Sequence, residues 1–285
     1  MGPDRLQFQR FELKYSITET VALAVRDFIS SYLEVDEYGA TLPNLSYSVH
    51  SLYLDSDDLQ LYQTTINGDK NRFKLRLRFY ENRPEAPVYF EIKRRANNTI
   101  SKQRGGVRRE EVNWLLAGHL PEPAHLVSQD PKHQVALQRF CQLMNQLHAK
   151  PKAHVAYLRE AWISTRDNSI RVTMDREVRC EPEPTARLST QMHDPVMVFG
   201  NEVILELKFT DRYPDWFKEL VRIFGLMQCG AAKYVDGVAK LGEYRLNRTY
   251  SLDEHETSFH ESRSGKQISA VTRRPADLVS NVFYE

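Results

Sequence analysis

The stretch Arg72-Phe-Lys-Leu-Arg-Leu-Arg-Phe-Tyr80 alternates without a break, with Phe73, Leu75, Leu77 and Phe79 between Arg72, Lys74, Arg76 and Arg78. Successive side chains of a β-strand point to opposite faces, so this segment has one apolar face and one cationic face. The plan recurs. Arg10 to Ser16 sets Phe11, Leu13 and Tyr15 against Arg10, Glu12, Lys14 and Ser16. Val88 to Arg95 sets Val88, Phe90 and Ile92 against Tyr89, Glu91, Lys93 and Arg95, and Val203 to Thr210 sets Val203, Leu205, Leu207 and Phe209 against Ile204, Glu206, Lys208 and Thr210. Further strands are expected at Tyr47 to Asp55, Thr99 to Arg104, Arg108 to Asn113, Val155 to Trp162 and Ile170 to Val178. The connections Glu81-Asn-Arg-Pro-Glu-Ala-Pro and Arg166-Asp-Asn-Ser read as hairpins, which makes neighbouring strands antiparallel.

Helices fill the gaps. Ser16 and Glu19 have capping-box spacing ahead of Val21, Val25, Phe28, Ile29 and Tyr32, an apolar stripe at helical period. A second helix is expected from Pro131 to Leu147, and a third begins at Pro214, a residue suited to a first helical turn. The class is therefore α+β. From Asn247 to Glu285 the chain is polar and aperiodic, so the folded domain is expected over 1–246 and a polar tail, mobile or docked, over 247–285.

The 285 residues carry 39 Lys+Arg against 38 Asp+Glu, a net charge of +1, which argues against broad nucleic-acid binding. Any anion must be gripped locally. No run reaches the ~20 uncharged apolar residues of a membrane helix, since Glu202, Glu206 and Lys208 interrupt the best candidate. Nothing at the N-terminus resembles a secretory signal, and Cys141, Cys180 and Cys229 form neither a disulfide framework nor a zinc pattern. A reducing, cytoplasmic setting is expected.

Gly265-Lys266 lacks the earlier glycine of a Walker A loop, and His255, Glu256 and His260 miss the zinc-protease spacing by one residue. Asp55-Ser-Asp57-Asp58 looks like an acidic metal cluster but falls where a strand gives way to a short helix, and capping by Ser56 or Asp57 accounts for it. No Ser, Cys or His has the setting of an activated nucleophile.

The charged faces are the unusual feature. Cations two residues apart lie about 7 Å apart along a strand and closer across to its neighbour. Like charges about 5 Å apart repel by roughly 3 kcal/mol at an effective dielectric near 20, more than a surface ion pair returns. Glu12 with Lys14, Glu91 with Lys93, and Glu206 with Lys208 each place an acid and a lysine on one face. One such pair reads as neutralisation. Three on separate strands among arginines point to a site for a polyanion and a divalent cation, lining an interior if the strands close.

Eight segments then occur in a familiar order: Arg10-Phe-Glu-Leu-Lys-Tyr15, Ser51-Leu-Tyr-Leu-Asp55, Arg72-Phe-Lys-Leu-Arg-Leu-Arg78, Phe90-Glu-Ile-Lys93, Tyr157-Leu-Arg159, Arg171-Val-Thr-Met-Asp175, Leu205-Glu-Leu-Lys208 and Lys233-Tyr234. Through them the chain resembles the vacuolar transporter chaperone (VTC) domain of polyphosphate polymerases, within the triphosphate-tunnel, CYTH-like fold group. The resemblance implies an antiparallel β-tunnel or barrel of about eight strands with flanking helices. It implies phosphate and nucleotide binding by Lys14, Arg76, Arg78, Lys93, Lys102, Arg159, Arg171, Lys208 and Lys233, with Arg76, Arg78, Lys93 and Lys208 closest to the chemistry. Glu206 matches the family's ligand for Mn²⁺ or Mg²⁺, with Glu12 and Glu91 as further candidates.

The implied activity is an ATP-dependent polyphosphate polymerase whose partners are ATP and polyphosphate. The chain has room for neither the additional helical domain nor the membrane helices of eukaryotic members, so a stand-alone prokaryotic form is expected. A membrane-protein partner follows by family analogy only. Two rivals remain: an inorganic or thiamine triphosphatase on the same fold, disfavoured because Arg10 interrupts the Glu-x-Glu-x-Lys pattern, and a non-catalytic polyphosphate- or nucleotide-binding module.

Overall fold

In the computed structural model, the described residues are 10–97, 99–164, 169–210 and 212–246. The order is β1 (Arg10–Ile17), α1 (Glu19–Ile29), a short β2 (Glu34–Val35), β3 (Ser46–Asp55), α2 (Gln60–Ile66), β4 (Asn71–Phe79), β5 (Val88–Ala96) and β6 (Thr99–Val107). There follow α3 (Val112–Leu116), α4 (Pro131–Gln146), β7 (Lys150–Ile163), β8 (Ile170–Pro182), a short β9 (Val196–Met197), β10 (Val203–Thr210), α5 (Asp215–Ile223) and α6 (Lys233–Leu241). The tail from Asn247, with its histidines and Gly265-Lys266, and the turn at Arg166 to Asn168 lie outside the described residues.

All strand pairs are antiparallel, in the order β1-β10-β8-β7-β3-β4-β5-β6, with β2 beside β7 and β9 beside β8. The expected antiparallel α+β architecture is present, but the barrel is not sealed by backbone hydrogen bonds. Cα atoms of β1 and β6 come within 8 Å, yet no ladder joins them among the described residues. Side chains close the gap instead: Lys93 Nζ on β5 reaches Glu12 on β1 at 3.2 Å.

The alternation sorts the layers. Leu75, Leu77 and Phe79 of β4 and Phe90 and Ile92 of β5 bury against Leu137, Phe140 and Met144 of α4. Val203, Leu205 and Leu207 of β10 bury against Val25 and Ile29 of α1 and Phe217 and Leu220 of α5. Packing a fully buried Leu or Phe is worth ~1.5–3 kcal/mol, so these outer layers dictate which way the charged faces turn. On the inner side, α6 packs Tyr234, Val235 and Val238 against Tyr53, Val155 and Cys180. Ser51 and Tyr53 accept hydrogen bonds from Arg78 and Arg76, which places α6 on the same side of the sheet as the cationic face.

Two local expectations are corrected, and a third, capping by Ser56 or Asp57, is met by Ser56. Arg108 to Asn113 is not a strand but a 3-10 turn (Arg109–Glu111) followed by α3. Val112 and Leu115 bury at helical spacing, and the Arg109 guanidinium is drawn off to the carbonyls of Glu81 and Leu188. The cap of α1 is Thr18, whose hydroxyl accepts from Val21 N at 3.4 Å, because β1 continues through Ser16 to Ile17. At Asp55-Ser-Asp57, capping accounts for the first two residues: Asp55 accepts from the backbone N–H groups of Ser56, Leu61 and Tyr62, and Ser56 Oγ from Gln60 N. Asp57 instead pairs with Lys150 and Lys152.

Candidate functional site: a cation-rich lumen

Register brings the polar faces together. Arg76 lies opposite Glu91, Lys74 opposite Lys93, and Lys93 opposite Lys102 across β4, β5 and β6. On the far side of the lumen Lys14 faces Glu206, Glu12 faces Lys208, Glu206 faces Thr173, and Arg159 faces Asp175. Eight expected phosphate ligands therefore share one lining with the three expected acids.

Glu206 is the centre of one charge cluster. Its carboxylate takes Lys208 Nζ at 2.5 Å, Lys233 Nζ at 3.0 Å, and Lys14 Nζ and Arg159 Nη2 at 3.5 Å, and accepts from Thr173 Oγ1 at 3.2 Å. Burial pushes Glu206 up, but Lys208, Lys233, Lys14 and Arg159 together hold it well below the usual carboxylate range. Beside it, Asp175 receives both arms of Arg159 at 2.7 Å and Lys233 at 2.6 Å. Burial, opposed by Arg159 and Lys233, leaves Asp175 below its ordinary value too. Lys233 and Arg159 also stand over the Tyr157 ring, 5.0 and 5.1 Å from its centroid.

Glu91 centres the second cluster, with Arg76 Nη2 at 2.6 Å, Lys102 Nζ at 2.5 Å and Arg78 Nε at 3.7 Å. Arg78 further donates to Ser51 Oγ and Tyr157 OH. Glu12 joins the two sides of the lumen, accepting Lys93 at 3.2 Å and Lys14 at 3.4 Å. Burial depresses Lys208 to about 8 and Lys102 to about 7 even with a glutamate beside each. Lys208, whose side chain is 15% exposed, gains from a multiply charged anion, and Lys102, 43% exposed, gains less.

Arg171 is placed differently. It shares the β8 face of Thr173 and Asp175 but spends its guanidinium on Asp36 at 2.7 Å, near Tyr47 OH at 3.4 Å. Sequence reasoning put Lys74 on the cationic face without giving it a role of its own, and assigned no role to Asp175 or Tyr157. The two-residue period from Arg171 through Thr173 carries a signal for Asp175; Tyr157 has a weaker one in Arg159, two residues on along β7, while Lys233 and Arg78 reach it from α6 and β4. Lys74 makes no ion pair or hydrogen bond among the described residues, and burial, with Lys93, Lys14 and Arg72 nearby, lowers it to about 7.

The lining thus holds Lys14, Lys74, Arg76, Arg78, Lys93, Lys102, Arg159, Lys208 and Lys233 against Glu12, Glu91, Asp175 and Glu206, more than two cations per carboxylate. Among the described residues no group of three or more His, Cys, Asp or Glu is arranged to hold a metal. Glu206 and Glu12 share Lys14, so together they offer one or two carboxylates, the number a Mg²⁺ or Mn²⁺ takes when phosphate oxygens supply the rest. Glu91 shares no partner with either. The buried His50–His154 pair lies on the opposite, apolar face against Phe79 and is remote from this chemistry.

Comparison with known proteins agrees with the local motifs. The chain is 23% identical over 225 residues to the vacuolar transporter chaperone complex subunit 2 of Schizosaccharomyces pombe (strain 972 / ATCC 24843), covering 67% of this chain and 31% of that protein. It spans about a third of the length of that relative. Among solved structures it is similar to a proposed adenylate cyclase of Bacillus halodurans, at a TM-score of 0.42 and 14% identity over 78% of this chain and 95% of the other. A second such protein, from Vibrio parahaemolyticus, gives 0.40 and 9% over 81% and 98%. Residues 9–242 match the family model described as the VTC domain. That span takes in every strand and helix that builds the lumen, and the chain belongs to the VTC domain family.

Proposed function

We propose that the protein is a polyphosphate polymerase, which transfers the γ-phosphoryl group of ATP to the end of a polyphosphate chain and releases ADP. The observation that carries this reading is the excess of cations over carboxylates on one lining, built from neighbouring strands. The nucleophile is a terminal phosphate oxygen of the growing chain, so the protein supplies position and charge. Arg76 and Arg78, fixed by Glu91, Ser51 and Tyr157, and Arg159, fixed by Asp175, are held rigid enough to orient equatorial oxygens. On this reading Lys208 and Lys14 neutralise charge as it moves to the leaving diphosphate. Glu206 with Glu12 would hold Mg²⁺ or Mn²⁺, which supplies further charge neutralisation on phosphate oxygens.

The test is ADP release from ATP and Mn²⁺ by the wild type and by Glu206→Gln. Release by the wild type and its loss, by at least about a hundredfold, in the variant support the reading. Orthophosphate as the sole phosphate product points to the triphosphatase. A second reading, a binding module without turnover, draws on one observation: Glu206 is already engaged by Lys208 and Lys233, which compete with a metal. It requires tight, salt-sensitive polyphosphate binding with no ADP release. Because the curated relative is a complex subunit, we further propose assembly with a membrane-protein partner on the cytoplasmic side. No described helix of this chain is long and apolar enough to cross a membrane.

A further inference from the structure

Lys74, Lys93 and Lys102 stand abreast on β4, β5 and β6, one register position each, so their backbones are about 4.8 Å apart. Two residues along the strands, on the same face, Arg72 lies opposite Arg95. Beyond them opens a cleft of about 500 Å³ lined by Gly68, Lys70, Arg72, Arg95 and Asn97, with no carboxylate in its lining. Counter-charge fades both across the row, from Lys102 to Lys74, and along the strands toward the cleft. Lys102 has Glu91 and Lys93 has Glu12, but among the described residues Lys74 has no ion-pair or hydrogen-bond partner, and Arg72 and Arg95 bond there only to the carbonyls of Asp69 and Asn97.

We propose that the Lys74–Lys93–Lys102 row, with Arg72 and Arg95 behind it, seats the far part of a phosphate chain, and that seating the chain draws a proton from solvent onto Lys74. The proposal rests on the polyphosphate reading of the lumen and adds a proton to its binding equilibrium. The charges acting most strongly on Lys74 are Lys93 from β5, Lys14 from β1, Arg72 from its own strand and Asp236 from α6, and Glu12 of β1 stands behind Lys93 and Lys14, paired with both. Of the two acids, Asp236 is turned to the Ala232 N–H at 2.6 Å and Glu12 is engaged by Lys93 and Lys14. With three cations around it, the empty seat favours neutral Lys74; a row of phosphates reverses that field and favours the ammonium. The free amine sits near pH 7, so above neutrality each bound chain must take up a proton there, whereas below about pH 6 it need not.

Calorimetric titration of the full chain with long-chain polyphosphate, in buffers of different ionisation heat between pH 6 and 9, counts the protons. Wild type is expected to take up protons at pH 8 and to lose about tenfold in affinity per pH unit above neutrality through this site. Lys74→Arg, whose charge does not titrate, should take up about one proton fewer and bind tenfold or more tighter than wild type at pH 8.5. Lys74→Met should bind weakly at pH 6, where wild type binds best. Wild-type binding without net proton uptake at pH 8 overturns the inference whatever the variants do, and so does a Lys74→Arg protein that keeps the wild-type uptake and alkaline loss. If wild type binds neither long-chain polyphosphate nor tripolyphosphate, the polyphosphate reading of the lumen itself fails, a different outcome from binding without a proton.

Discussion

At the scale of single residues, Glu206 answers four cations at once, and its loss leaves Lys208, Lys233 and Arg159 buried with too little counter-charge. Breaking a buried ion pair from one side costs about 3–5 kcal/mol, so Glu206→Ala should lower the melting temperature by roughly 10 °C as well as abolish turnover. Added polyphosphate should restore much of that stability, because it replaces the missing charge; a melting curve with and without the polyanion checks both. Lys208 behaves oppositely. Its charged form is disfavoured by burial, which holds it at about 8, and Glu206 keeps Lys233, Lys14 and Arg159 when Lys208 is gone. Lys208→Met should therefore raise the melting temperature by ~2–4 °C while stopping synthesis; a drop in stability contradicts this.

Among the elements, α6 decides where Lys233 points. Its first residue reaches Glu206 and Asp175, and its body docks through Gly237 against β8. A Cβ at Gly237 would stand 2.7 Å from Cys180 Sγ and 2.9 Å from Cys180 Cβ, so Gly237→Ala must push the helix outward. A cost of about 1–3 kcal/mol and weaker polyphosphate binding are expected, and Cys180→Ala in the same chain should recover part of both; an unchanged melting temperature would count against the docking argument. The strands beneath were legible in the sequence because each has an apolar and a charged face, and that period survives any tertiary context. Helix α6 was not read, since Val235, Val238 and Leu241 mark it only weakly and Gly237 argues against a helix in isolation. Arg108 to Asn113 has neither strand composition nor a two-residue period, and the spacing of Val112 and Leu115 marks the helix that forms there instead. Within the site, Glu12, Glu91 and Glu206 were visible from their lysine spacing, whereas Asp175 and Lys74 owe their importance to what the other strands do or do not bring within reach.

For the whole molecule, the near-zero net charge is the sum of a cation-rich interior and acids elsewhere. Stability should record this. Glu206, Asp175, Glu12 and Glu91 all titrate below their unfolded values, so their contribution is full above about pH 5 and is lost as pH falls through 4 toward the depressed values. Lys74 and Lys102 at about 7 and Lys208 at about 8 shed protons in the fold before they do in the unfolded chain. Between pH 7 and 9.5 the unfolded state therefore holds more protons, and the melting temperature should rise across that window; a flat or falling profile contradicts the charge map. Bound polyphosphate should flatten the rise by keeping those amines charged. The account's central claim is that this lumen elongates a phosphate chain. Phosphorus NMR of the full chain incubated with ATP and Mn²⁺ tests it most directly: mid-chain phosphate resonances growing with one ADP per phosphate added are predicted, and orthophosphate alone, or unchanged ATP, would contradict it.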